Sequence, residues 1–283
     1  MIWKLIFYIA KFLKECKEDR INAYAAQSAF FILLSIIPFL MVLLSLLKYT
    51  PITESMLLSM YEEGLPDYIS PFFITITDEI YTRTFGITAV SAVVAIWSAA
   101  KGIHALMDGL NAVNDLQENR NWLILRFWSA IYTIVFMVAI VFTLMVLVFG
   151  SVIRKLAVKY LPILRTISVI ISSFKGLLLF AILVVFFDVV FVVLPNKKLS
   201  FMSQLPGAVL CALAWNGIST LLSVYINYFN GFSMYGSLTT VALMMLWLYF
   251  CIYSALMCAE FNVTFEESLR KWINRYRKRK IQK

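Results

Sequence analysis

The chain predicts an all-α, polytopic integral membrane protein: a bundle of six transmembrane helices with both termini in the cytoplasm. Three observations carry this expectation. Six apolar stretches, at about 25–48, 86–106, 122–149, 168–194, 204–228 and 236–262, each reach the ~20 residues a helix needs to cross bilayer hydrocarbon. The composition is 61% hydrophobic and 14% charged, with a mean hydropathy of +0.83. That leaves too few polar residues for the polar faces of a soluble helical protein. Lys and Arg crowd one set of connections, and this orients the spans by the positive-inside rule.

The inner side so defined holds Lys4, Lys11, Lys14, Lys17 and Arg20 before the first span. It also holds Arg120 and Arg126, then Lys197 and Lys198, and a tail rich in both cations from Arg270 to Lys283. The outer loop 49–85 is acidic, with Glu54, Glu62, Glu63, Asp67, Asp78 and Glu79. One segment runs against the pattern. Residues 150–167 carry Arg154, Lys155, Lys159 and Arg165 and no acid, yet alternation puts them outside. They read as a cation cluster at the outer headgroups, or as an attractor for an anionic substrate.

Taken in order, residues 1–24 form an amphipathic helix lying in the inner interface, with Ile2, Leu5, Ile6, Ile9 and Leu13 opposite Lys4, Lys11, Lys14 and Glu18. Packing on the bundle is the alternative. The transmembrane domain is 25–262, followed by a basic cytoplasmic tail at 263–283. The first span starts near Ala25, is too long for the h-region of a signal peptide and lacks a cleavage site, so it is expected to stay in the protein. Pro38 lies mid-span and removes a backbone donor there. The second span is the most polar, and its Ser91, Ala95, Ser98 and Gly102 form a small-residue stripe that lets another helix approach. Residues 107–120 read as a cytoplasmic helical turn. The third span is almost wholly apolar and lipid-facing. The fourth ends at Pro195-Asn196, the fifth starts at Pro206-Gly207, and the sixth follows a tight link ending at Gly236. Gly102, Gly207 and Gly236 read as packing or turn glycines.

Candidate chemistry starts from charges inside spans, which are costly there. Asp188 sits seven residues before Pro195, on the order of 10 Å from the helix end at 1.5 Å per residue. Lys101 is at similar depth, so a Lys101–Asp188 pair is expected, either locking two spans or acting as a gate. His104 lies one turn beyond Lys101, and Asn216 and Gln27 are polar residues in spans five and one. At the cytoplasmic rim, Glu260 is expected to pair with Arg120, Lys197 or Lys198. The single His and the four scattered cysteines, Cys16, Cys211, Cys251 and Cys258, cannot build a Cys/His metal cluster. No metal, cofactor or nucleic-acid partner is expected. Membrane lipids are the expected partners, with anionic lipid at the basic N- and C-terminal segments. A homo-oligomer or an envelope-protein partner is left open.

At this point the chain resembles the YihY family, also called the virulence factor BrkB-like family, of bacterial inner-membrane proteins. The resemblance covers about residues 20–265. It rests on Ala25-Ala26, Ala29-Phe30, Ser35 and Pro38; on Trp97-Ser98 with Gly102; and on Leu110-Asn111, Glu118 and Arg120. Leu194-Pro195-Asn196, Pro206-Gly207-Ala208 with Trp215, Tyr235-Gly236-Ser237 and Ala259-Glu260 complete it. Cys258 departs from the pattern, which has Gly before the Ala-Glu pair, and this leaves helix packing at that point open. The resemblance implies six helices in the plasma membrane. Members have carried the label of a transfer-RNA-processing ribonuclease or of a serum-resistance factor, and have been linked to envelope lipid handling and solute export.

The residues do not support hydrolysis, because a hydrolase needs a metal cluster, an acid–base pair or an activated nucleophile. The expected activity is movement of a lipid or other amphiphilic, anionic envelope molecule, with Lys101, Asp188, His104, Asn216 and Gln27 lining a polar cavity between spans one, two, four and five. The alternatives are an exporter or channel for a small polar solute, and a non-catalytic scaffold for envelope assembly.

Overall fold

The computed structural model describes residues 2–47, 85–116, 121, 123–138, 175–228 and 237–281, with Ser55, Leu58, Ile74, Thr75 and Thr77 between them. These residues form helices: α1 (Ile2–Glu18), α2 (Ile21–Leu47), α3 (Phe85–Val113), α4 (Leu123–Val138), α5 (Lys175–Val193), α6 (Phe201–Tyr228) and α7 (Ser237–Ile281). Four of them, α2, α3, α6 and α7, are long and apolar enough to cross a membrane; the described parts of α4 and α5 are apolar but shorter. Most of the loop 49–85, the cationic segment 150–167, Arg120 and Gly236 lie outside the described residues.

The predicted helix over 1–24 is two elements. α1 stops at Glu18, and the chain turns through Asp19 and Arg20 before α2 starts at Ile21. Arg20 takes a left-handed backbone, φ 52°, which costs a residue with a Cβ on the order of 1 kcal/mol. Pairs Lys11–Glu15 (3.0 Å) and Lys14–Glu18 (3.4 Å) line the polar face of α1. Phe7, Ile9 and Leu13 are exposed, while Cys16 is buried against the bundle. α1 therefore meets the bundle through Phe12 and Cys16, with much of its apolar surface uncovered.

The second span is longer than its apolar stretch. α3 continues through 107–113, which the sequence assigned to a turn, because Met107, Leu110 and Val113 are buried core residues. It ends in a Schellman motif: Leu116 N–H donates to the Asn111 carbonyl (2.9 Å) and Asp115 N–H to that of Ala112 (2.9 Å), with Asp115 left-handed at φ 54°. The last helix is longer still. α7 runs unbroken from Ser237 to Ile281, so the basic tail continues the final span as helix.

α2 and α3 pack along most of their length, α7 packs on both α2 and α6, and α5 packs on α6. Small residues allow this. A Cβ on Gly102 would stand 2.7 Å from Ile32 Cγ1, and the Ser28 hydroxyl donates to the Gly102 carbonyl at 2.7 Å. Of the small-residue stripe, Ser91, Ala95 and Gly102 are buried and Ser98 is half-buried. α4 buries Leu125, Ser129 and Thr133, and exposes Leu123, Phe127, Val135 and Val138. That is the pattern of a helix with one side to lipid.

Candidate functional site

The core of the bundle is not filled. Between α2 and α7 lies a partly open cavity of about 450 Å³, walled by Ile36, Phe136, Phe187, Trp215, Leu248 and Ile252 among others. An aromatic run from Phe187 to Trp215 (centroids 5.3 Å apart) and on to Trp247 (5.4 Å) stiffens one wall. The hydroxyls present on the wall belong to Ser35 and Thr133. Both already donate within their own helices, to Ile32 O and Ser129 O at 2.7 Å each. The cavity therefore offers hydrocarbon.

This corrects the expected polar cavity. None of Lys101, Asp188, His104, Asn216 and Gln27 stands in its wall. Lys101 and Asp188 form no ion pair. Lys101 Nζ lies over the Phe31 ring at 5.1 Å, whereas Asp188 is buried on α5 with Oδ1 meeting no donor. Similar depth put the two level, but helical phase turned them to different neighbours. His104 Nε2 reaches Asp108 Oδ2 along α3 (3.6 Å), and its Nδ1 meets no partner. Asn216 is exposed on α6, its amide donating to Ala212 O, and Gln27 is exposed on α2.

At the end of the bundle where α1, α3 and α7 meet, two buried polar residues of α7 stand two positions apart. Asn262 is 1% exposed, and its hydrogen bonds are made. Its Oδ1 accepts from Gly207 N–H at 2.7 Å; its Nδ2 donates to Gln204 O (3.0 Å) and Gln204 Oε1 (2.9 Å). A Cβ on Gly207 would strike Asn262 and the Cys258 carbonyl. Close packing thus exists opposite Cys258, with the glycine on α6. Nearby, Asn111 Oδ1 accepts from Asn196 N–H at 2.7 Å and pins the Pro195 turn to α3.

Glu260 is the opposite case. It is 3% exposed. Oε1 accepts from Thr264 Oγ1 at 3.3 Å, and Oε2 meets no donor. Neither Lys197 nor Lys198 pairs with it, contrary to expectation: both are exposed, and the neighbours of Glu260 are acids. The Asp19 carboxyl lies within hydrogen-bond reach, and Glu15 is close by. Burial holds the Asp19 carboxyl above the usual carboxylate range; the hydrogen bond with Glu260 pulls it back, and Asp115, Glu15 and Glu18 push it up further. Two carboxyls in such contact hold together when one carries a proton. The Cys16 thiol beside them is pushed up to about 12, first by burial and then by the same acids.

Sequence reasoning missed Gln204 and Asn262 as buried polar centres, and Asp19 as the half-buried acid beside Glu260. Asp19 looked like part of a solvated charged helix, and nothing in the spacing of Gln204 and Asn262 announces a contact across 58 positions. Among the described residues, no three His, Cys, Asp or Glu side chains stand close enough to hold a metal ion.

Comparison with known proteins adds a family. The virulence factor BrkB family model matches residues 12–280. A Bacillus subtilis protein named as ribonuclease-like, YfkH, is 32% identical over 227 residues, covering 80% of this chain and 82% of the relative. A UPF0761 membrane protein of Alteromonas mediterranea is 26% identical, covering 96% of this chain and 92% of its own length. Another, from Vibrio campbellii, is 25% identical across 90% of this chain and 81% of its own. No solved structure matches.

Proposed function

The chain belongs to the virulence factor BrkB family and is a multi-pass bacterial membrane protein; from that premise we propose that it moves a lipid or another amphiphilic envelope molecule across or out of the bilayer. The reading takes α2 to α7 as six spans, with both ends of the chain in the cytoplasm.

One observation carries it: the apolar cavity inside the bundle. The cavity is partly open and its wall is apolar, so hydrocarbon chains are favoured over water as its filling. A small polar solute would meet a wall that is almost wholly apolar. An acyl or isoprenoid chain fits its chemistry, and the bilayer supplies chains at high concentration. The substrate's tail, rather than its headgroup, is what the centre of the bundle holds, and this reverses the roles that the buried charges suggested.

The test is lipid scrambling or net transfer in proteoliposomes containing fluorescent phospholipids. Wild-type protein should speed probe movement well above empty vesicles. Ala255→Trp, which pushes an indole into the cavity from α7, should slow it at least tenfold, with helical content unchanged by circular dichroism. Equal rates in Ala255→Trp and wild type would sink the cavity's role. Rates equal to empty vesicles for anionic and zwitterionic lipids alike would sink the lipid reading.

A further inference from the structure

A second recess lies on the outside of the bundle, between α3 and α4, and shares no lining residue with the central cavity. It is a groove of about 440 Å³ lined by Val93, Ile96, Trp97, Leu123, Phe127 and the alanines at 100 and 130, with one charged residue, Arg126. We propose that this groove binds an anionic phospholipid, the phosphate held by Arg126 and one acyl chain laid along the apolar wall.

Three observations lead there. The Arg126 guanidinium is stacked on the Trp97 indole, Cζ 4.3 Å from the ring centroid. Stacking fixes the plane of the fork and leaves its edge for an acceptor. No described carboxylate pairs with Arg126, whose side chain lines the groove; its Nη2 is turned inward without a hydrogen-bond partner, and a turn of the side chain would bring it to a phosphate. The groove also faces lipid, for Val93, Trp97, Leu123 and Phe127 are 55–67% exposed on the flank of a membrane-embedded bundle. An unpaired cation among apolar side chains facing lipid is expensive and calls for an anion. A phosphodiester matches a guanidinium in two parallel hydrogen bonds. A free phosphate ion would satisfy the charge and leave the apolar groove unfilled; a phospholipid satisfies both. Arg126 thus differs from Lys11 and Lys14 of α1, which hold carboxylates of their own helix.

The site requires only that the bundle sit in a membrane, and does not rest on the translocation reading. Trp97 provides its own probe. The full-length protein is placed in phosphatidylcholine nanodiscs doped with chain-brominated phosphatidylglycerol, or with brominated phosphatidylcholine as the reference. The Trp97 share of quenching is taken as wild type minus Trp97→Phe. Brominated phosphatidylglycerol should quench that share at a mole fraction at least fivefold below the reference lipid. Arg126→Gln should remove the preference, and Arg126→Lys, which keeps the charge and loses the fork, should retain part of it. Inorganic phosphate at tens of millimolar should not compete. Identical curves for the two lipids, a curve unchanged in Arg126→Gln, or full competition by inorganic phosphate would each overturn the proposal. Should Arg126→Gln fail to fold, Arg126→Lys carries the test, an unchanged preference counting against the fork. Binding lost with translocation intact counts against this site alone; translocation absent with binding intact counts against the proposed function alone.

Discussion

Asn262 and Glu260 sit two residues apart on α7, are almost equally buried, and face opposite situations. Asn262 makes three hydrogen bonds to α6. Glu260 faces acids and leaves an oxygen without a donor. Burial alone therefore says little about what a polar residue does in this bundle. A buried amide with its bonds made is a fastening between helices. A buried carboxyl with its bonds half made stores a preference for one protonation state, and such groups call for an explanation beyond packing.

The largest effect should come from breaking the fastening. Gly207→Ala puts a methyl into Asn262 and the Cys258 carbonyl; overpacking of this kind costs ~1–3 kcal/mol, and the displaced amide adds unmade buried bonds at ~1–3 kcal/mol each. Thermal unfolding in detergent should show the steepest loss of any single change here. Asn262→Ala alone should also destabilise strongly. Combined with Gly207→Ala it should cost less than the sum, since removing the amide makes room for the methyl. An additive double mutant would mean that the two residues do not act as one fastening.

Gly102→Ala should rank next. Its methyl meets Ile32 Cγ1 at 2.7 Å and the backbone atoms Ile32 N and Ser28 O at 3.2 Å, so a loss of ~1–3 kcal/mol is expected, again read by thermal unfolding.

Asp19→Asn, which removes the titrating neighbour of Glu260, sharpens the contrast from the other side and should flatten the pH dependence. The sign follows from Asp19. Its folded pKa is raised, so its contribution is fully present below the ordinary value of 3.8 and is lost as pH rises through the raised folded value. Packing of α1 against α7 should thus be tightest in acid and loosen on the alkaline side. Protease access to the Glu18–Ile21 turn, followed from pH 4 to 8, measures this. A wild-type profile that is flat, or one that tightens with pH, would remove Glu260 from the comparison.

The smallest effect belongs to Lys14→Ala. Its pair with Glu18 is exposed at 3.4 Å, and such helix pairs contribute under ~0.5 kcal/mol, so unfolding should barely move.

The helices and their glycines were legible because apolar length, Pro and small residues act locally. Gly102 and Gly207 were read as packing or turn positions from the sequence, and both stand where a Cβ would collide with a neighbouring helix. Partners were not legible. Lys101 and Asp188 looked like a pair because opposite charges at equal depth attract, yet which way each helix face turns depends on the whole bundle. Glu260 was matched with cations because pairing logic never proposes that an acid will face another acid. The polarity of the central cavity was misjudged for the same reason as the Lys101–Asp188 pair: Lys101, Asp188, His104, Asn216 and Gln27, expected to line it, are turned to other surroundings.

α7 places a cavity wall, the Glu260 carboxyl, the Asn262 fastening and the basic run from Arg270 to Lys280 on one unbroken helix of 45 residues. At 1.5 Å per residue that is a rod of about 68 Å, more than twice the ~30 Å of bilayer hydrocarbon. One continuous helix thus joins the cavity wall at Leu248 and Ile252 to the cationic run, with no loop between them to absorb a displacement.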